Sequence, residues 1–361
     1  MPHPSVKLNI FESIIELYEL LEKEIVPVLW SEWPAEGYLL RSEIFAHVPG
    51  GTETRTGIEP LFAWIRLFVH DAIRALPLEP SVGLVIRLNE PYLATSMSRG
   101  NYRVEFHPYP RSLKMESSSQ NPSLRALLRE PDGRIRLAVN APPSVRVSFH
   151  PRSDQQPDDL LFVVMPGQTG ASADLLLPFL PTEETIFKQE LELGRNGAFR
   201  EAHAFWRRRP PTAARFSVPE APLNHCLQRS LQFAEVVAER NPADGQVSML
   251  TGSLVYANLW TTPFALTSVM TLDAMGYHAT AEKYLEIFRA RQGTVKPPSD
   301  ALELHPGFLS TPATLTSVDW LSDHGALLFA IAEHALLSGD RTFYSRWEEA
   351  ILKACEFIRY A

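Results

Sequence analysis

At 361 residues the chain exceeds what one hydrophobic core fills, so two or three domains are expected. Its 45% hydrophobic and 21% charged residues are an ordinary globular balance. The net charge of −8 argues against a nucleic-acid groove, which needs a clustered basic face, and no stretch approaches the ~20 apolar residues of a membrane span.

The chain opens on a predicted helix over residues 8–25. Phe11, Ile14, Ile15, Tyr18, Leu21 and Ile25 share one face, four acids lie mostly opposite, and Pro27 stops it. Those acids run through the apolar part, so residues 1–30 do not read as a signal peptide, which fits a cytoplasmic location.

From Trp30 to about Glu192 the period changes. Gly83–Leu88, Tyr102–Phe106, Ile135–Val139, Val145–Phe149 and Leu160–Met165 are short and rich in β-branched or aromatic residues, and several alternate. Pro131-Asp132-Gly133, Pro142-Pro143 and Pro166-Gly167 separate them as turns. Short strands at this spacing predict an antiparallel β-sandwich over 29–195. One stretch, Gly57–Ala75, holds the run Leu61-Phe62-Ala63-Trp64-Ile65, which suits a buried strand or a helix and is read as a helix. The 30 prolines are spread along the chain, which suggests ordered turns and edges.

A connecting helix is expected over Asn196–Arg209, within a linker at 196–215 that ends in Pro210-Pro211. The Arg207-Arg208-Arg209 run is read as its solvated face. Beyond Phe216 the pattern is helical nearly throughout. Pro219 and Glu220 open a helix to about Arg240, with a proline and an acid in its first turn. A second runs from Trp260 to Met275, with Gly276 as the terminating residue. Thr280 caps a third that ends at Gly293, Gly325–Ser338 form a fourth, and a fifth starts after Asp340 and points Ala350, Ile351, Ala354, Phe357 and Ile358 inward. Met275-Gly276-Tyr277-His278 and Ser338-Gly339-Asp340-Arg341 are both short helix–Gly–polar–helix turns, as antiparallel hairpins need. Five helices with broad apolar stripes must bury them against further helices, and no partners follow Ala361, so the array at 216–361 is expected to be incomplete. Cys226 and Cys355 fall on these stripes and are read as buried free thiols. No CxxC, Cys/His zinc spacing, Gly-rich phosphate loop, HExxH or Ser/His/Asp elbow occurs, so neither metal nor cofactor is expected.

This order of parts resembles the bacterial glucoamylase-like enzymes and the related inverting disaccharide phosphorylases, whose catalytic domain is an (α/α)6 toroid. Three segments carry the resemblance. Phe216-Ser217-Val218-Pro219-Glu220 is similar to the entry of the first barrel helix. Tyr256-Ala257-Asn258-Leu259-Trp260, with the helix ending Ala274-Met275-Gly276-Tyr277, is similar to the second. Trp320-Leu321-Ser322-Asp323-His324-Gly325, with Ser338-Gly339-Asp340, is similar to the fourth and its following turn. The resemblance covers about Ala198–Ala361 and reaches the sandwich by topology only. It implies a β-sandwich followed by an incomplete toroid, and a carbohydrate substrate. It departs at one point: the family's Trp-x-Arg-Asp motif keeps Trp260 but falls on Thr262-Pro263 where the Arg-Asp pair belongs. The family's general acid lies just after the fifth helix, hence beyond Ala361.

Hydrolysis of a glycoside with inversion needs one protonated carboxyl for the leaving oxygen. A second, ionised carboxylate about 6.5–9.5 Å away activates water. The rim loops that would carry the sugar are Asp244–Leu259 and Thr294–Asp323. Tyr256 and Trp260 suit stacking on sugar rings, with Trp260 alternatively a helix anchor. The second loop, about thirty residues long, has a length often tied to function, and holds Glu303, His305, Phe308, Asp319, Trp320, Asp323 and His324. Asp319 is either a substrate contact or a loop-ordering side chain. Trp320 stacks in the same way as Trp260. Asp323 is either a contact or a helix N-cap, and His324 is read as a hydrogen-bonded rim residue. Three functions stay open: an inverting glycoside hydrolase, a phosphorylase of the same architecture, and a non-catalytic carbohydrate-binding protein.

Overall fold

The computed structural model describes residues 26–35, 37–52, 59–72, 81–88, 92–98, 101–107, 113–116, 121–156, 158–179, 182–240, 247–249, 261–309 and 321–361. The predicted helix at 8–25 lies outside them. Two compact units result: Met1–Tyr92 with His107–Arg208, and Leu93–Phe106 with Arg209–Ala361. Among the described residues no helix is long and apolar enough to cross a membrane.

The strands are β1 (Leu29–Ala35), β2 (Tyr38–His47), β3 (Phe62–Ala72), β4 (Ser81–Arg87), β5 (Tyr92–Ser98), β6 (Asn101–His107), β7 (Lys114–Glu116), β8 (Leu124–Arg129), β9 (Ile135–Asn140), β10 (Arg146–His150), β11 (Leu160–Pro166) and β12 (Ser172–Pro178). Seven form an antiparallel sheet in the order β1-β2-β3-β12-β9-β8-β7, and three form a second in the order β10-β11-β4. Pro34 sits on β1, at the sheet edge, where a missing N–H costs no ladder bond. The predicted turn at 131–133 joins β8 to β9, with Gly133 at φ 89°.

Alternation sends the two sides of the large sheet to different cores. Leu40, Leu67, Val69, Leu128, Val139 and Leu175 meet Leu84, Leu161 and Val163 of the small sheet. Phe45, Phe62, Trp64 and Leu176 face a helix instead, α1 (Glu184–Trp206), through Phe187, Ala198 and Ala202.

Two expectations are corrected here. The stretch read as a helix at 57–75 contains β3. Phe62 and Trp64 point to the helix-covered side while Leu67 and Val69 point to the other, so a strand buried on both faces shows the unbroken apolar run of a buried helix. The connecting helix also begins earlier than Asn196. It is 23 residues long, is bent at Gly194 (φ 70°, ψ 163°), and packs along the sheet.

A buried polar network fixes that packing. Glu190 Oε1 accepts from Trp64 Nε1 at 2.7 Å and lies 2.8 Å from His47 Nδ1, while His47 Nε2 lies 3.1 Å from Glu201 Oε2. Arg66 makes two hydrogen bonds to Asp174, at 2.7 and 2.8 Å, and Arg195 of α1 reaches Glu43 at 2.9 Å.

The second unit includes the β5–β6 pair, and most of its other described residues are helical. Its elements are α2 (Ala221–Val236), the short pair β13 (Ala238–Arg240) and β14 (Val247–Met249), α3 (Thr261–Pro263), a π-helical turn at Phe264–Val269, α4 (Met270–Ala274), α5 (His278–Arg291), α6 (Leu321–Ser338) and α7 (Arg341–Tyr360). Phe264, Tyr284, Phe288, Leu327, Ile331, Phe343 and Trp347 fill one core, and the Tyr284 hydroxyl donates to Ala234 O at 2.9 Å. Gly276 ends α4 at φ 77°, and Tyr277 N donates back to Leu272 O at 2.8 Å. A side chain at Gly276 would lie 2.0 Å from Thr212 O, because the entry segment crosses this turn: Thr212 Oγ1 donates to Gly276 O and Ala214 N to Met275 O.

Local details differ from the sequence reading. Helix α5 starts at His278, so Thr280 does not cap it, and α6 starts at Leu321, four residues before Gly325. Cys226 and Cys355 are exposed rather than buried. In α7 the buried stripe is Phe343, Trp347, Ala350, Ala354 and Phe357. Cys355 and Ile358 sit one residue beyond that stripe, about 100° around the helix, and face out.

Candidate functional site

Of the residues singled out for substrate binding, Tyr256, Trp260, Asp319 and Trp320 lie outside the described residues. Asp323 and His324 are described, and both are buried, at 1% and 2% exposure. Asp323 is the third residue of α6 and does not act as its N-cap. Its Oδ1 accepts from Thr262 N at 3.1 Å and also from the Thr262 hydroxyl. The carboxylate therefore ties the start of α6 to the start of α3 and satisfies a first-turn N–H that has no partner within its own helix. Thr262 and Pro263 stand where the resemblance places the Arg-Asp pair. The polar atoms of Thr262 are turned to Asp323.

His324, the next residue, holds the loop before α6 against α7. Its Nδ1 accepts from Leu309 N at 3.1 Å and its Nε2 donates to Ala354 O at 3.0 Å, which fixes the neutral tautomer with the proton on Nε2. Burial is the main cause of its lowered pKa. The bond to Ala354 opposes the shift and nearby His305 adds to it. The ring lies nearly parallel to Phe308 at 5.8 Å and edge-on to Phe357 at 4.7 Å. Loop and helix touch along their backbones: a side chain at Gly307 would lie 1.8 Å from Lys353 O. Gln292 clamps the same place, donating to Gly307 O at 3.1 Å and Ala350 O at 2.8 Å. His305 accepts from Gly307 N at 3.0 Å and stacks on Tyr360 at 4.8 Å. Glu303 is largely exposed and its backbone N–H donates to the Tyr360 hydroxyl at 3.2 Å.

One end of the helical unit is thus assembled from the starts of α3 and α6, with the flanking loop seated on α7. The π-helical turn follows α3 directly, and such turns recur at functional sites. The sequence reading missed Thr262 as a partner of Asp323, since no local pattern links residues 61 apart. It also missed a group at the far end of the same helices. Asp273, His278 and His334 are, among the described residues, the one cluster whose atoms suit a metal ion. A scan for Cys/His spacing along the chain passes over ligands gathered from three helices.

No family model matches the chain, and no curated protein matches it. Among solved structures, a family GH92 alpha-mannosidase from Bacteroides thetaiotaomicron is similar over 86% of this chain and 44% of that one, with 11% identity and a TM-score of 0.32. The chain spans less than half the length of that structure, and a likeness at this level decides neither fold nor activity.

Proposed function

We propose that the protein is carbohydrate-active, an inverting glycoside hydrolase acting on oligo- or polysaccharide, with its helical unit belonging to an (α/α)6 toroid. One observation carries this. The Thr262–Asp323 tie brings the starts of α3 and α6 together, at the end of the helical unit where His324 holds Leu309 against α7. Just ahead of those starts in the sequence stand Tyr256, Trp260, Asp319 and Trp320. Aromatic faces stack on sugar rings, and a carboxylate accepts from sugar hydroxyls. In this assignment Tyr256, Trp260 and Trp320 supply the stacking platform and Asp319 a polar contact. Asp323 and His324 are positioning residues that hold the rim through Thr262, Leu309 and Ala354.

Titration of the protein with oligosaccharides, followed by tryptophan fluorescence, tests the assignment. Trp260→Ala should weaken sugar affinity about tenfold, equivalent to ~1.4 kcal/mol. Unchanged affinity combined with lowered stability would return Trp260 to the role of helix anchor. A second function, binding without catalysis, is favoured by one feature: Thr262-Pro263 stand in place of the Arg-Asp pair of the family that the chain resembles. Sugar binding with no turnover of any aryl glycoside would select it.

A further inference from the structure

At the end of the helical unit away from Thr262, three polar side chains meet. Asp273 lies near the end of α4, His278 opens α5 just past the Gly276 turn, and His334 sits in the last turns of α6. Asp273 Oδ1 lies 2.9 Å from His278 Nδ1 and 2.8 Å from His334 Nδ1, and one ligand atom from each residue falls within 4.8 Å of the other two. Asp273 is 2% exposed and His334 1%.

The hydrogen bonding of this cluster is incomplete. Both imidazoles converge on a single carboxylate oxygen, while Asp273 Oδ2 is buried and has no hydrogen-bond partner. A buried polar atom left unpaired is destabilising. Among the described residues the ion pairs of Asp273 are with these two histidines, and no lysine or arginine reaches it. A buried carboxylate is normally balanced by a fixed cation or by a coordinated metal.

We propose that Asp273, His278 and His334 form a binding site for one divalent transition-metal ion of the zinc type. Two imidazoles and a carboxylate are the donor set such ions take, with nitrogen at about 2.0–2.1 Å and oxygen at about 2.0–2.2 Å. The ion takes the place of the two hydrogen bonds on Oδ1. Each neutral imidazole then carries its proton on Nε2 and presents the Nδ1 lone pair to the metal. Its double positive charge neutralises the buried carboxylate. The His278 side chain is 23% exposed, which provides an entry path and lets solvent complete a four-coordinate shell. The bound ion would pin three helices together at the hairpin end, leaving the rim at the other end untouched. The inference is independent of the proposed carbohydrate activity.

The test is a titration of tag-free protein, stripped with chelator, with cobalt(II) as the spectroscopic probe. One equivalent should bring up the intense visible bands of a four-coordinate cobalt site, and zinc(II) should bleach them. His278→Ala removes a partly exposed ligand and should leave the far-UV circular dichroism unchanged. It should weaken cobalt affinity by at least about 100-fold, a loss already reached when only an outer-shell partner is removed. Folded wild-type protein that develops no such bands overturns the proposal without reference to any variant. So do bands that persist with unchanged affinity in both His278→Ala and Asp273→Asn.

Discussion

His47 and His324 are both buried imidazoles held on two sides, yet their surroundings drive them in opposite directions. Burial disfavours a charge on His47, but hydrogen bonds and attraction from Glu190 and then Glu201 outweigh it and raise its pKa. A raised folded pKa contributes stability that is complete below the unfolded value of about 6.5 and is lost as pH rises through the folded one. The sheet unit should therefore melt at a lower temperature at about pH 8.5 than at about pH 6, and His47→Gln should flatten that dependence while lowering stability throughout. Scanning calorimetry across that range measures both. A wild-type profile no steeper than the variant's would show that the network does not titrate. For His324 the sign reverses. Its lowered pKa contributes stability present above about 6.5 and lost as pH falls through the folded value, because a proton on Nδ1 would face the Leu309 N–H. Acidification to about pH 5 should loosen the loop at 302–309 first, seen as faster amide exchange at Leu309. His324→Gln, which cannot gain that proton, should remove the acid sensitivity.

At the level of single elements, the sequence was informative where one face is buried and the other wet. The strands β9, β10 and β11 and the turn at 131–133 lie where alternation and turn residues put them. Helices α4 and α7 end and begin at the glycine and aspartate that mark them, Gly276 by its positive φ and Asp340 by accepting from Thr342 N at 2.8 Å. Legibility failed where burial is two-sided or decided by distant chain. In β3 both faces are covered, so its period vanishes. The α7 stripe is five residues set by what Phe343 and Trp347 meet, and the apolar pattern alone misplaced Cys355 and Ile358 by one position. Asp323 shows the limit at the site. Its position just inside a helix start reads as a local cap, but the partner is Thr262, and the choice between them is made by packing. The stacking residues proposed for the rim were found by residue type alone.

Taken whole, the protein exposes more large apolar side chains on its helices than scattered surface leucines explain. Leu223, Phe233, Phe329, Leu336, Leu352 and Ile358 are each between 46% and 76% exposed. Where such side chains join into one apolar surface they mark association. The protein should bind a hydrophobic dye strongly or self-associate as concentration rises, measured by dye fluorescence and by light scattering. A monodisperse monomer with weak dye binding would show that these side chains are scattered and not joined in a patch.

Helices α3 to α4 and α6 run side by side, and each end of the pair carries a tie. Thr262 meets Asp323 and Asp273 meets His334, and both ties join residues 61 apart in the chain. The ties are eleven residues apart on both stretches, although one of them passes through the π-helical turn. The pair therefore works as a gauge, accepting segments of one length only. One residue inserted between the ties would turn everything beyond it by about 100° and withdraw a partner from its mate. Substitutions along these stretches are limited by what each side chain touches, whereas insertions and deletions are limited by arithmetic. In descendants of this gene, changes of length should collect outside 262–273 and 323–334, leaving those two intervals as a fixed ruler within a chain otherwise free to grow or shrink.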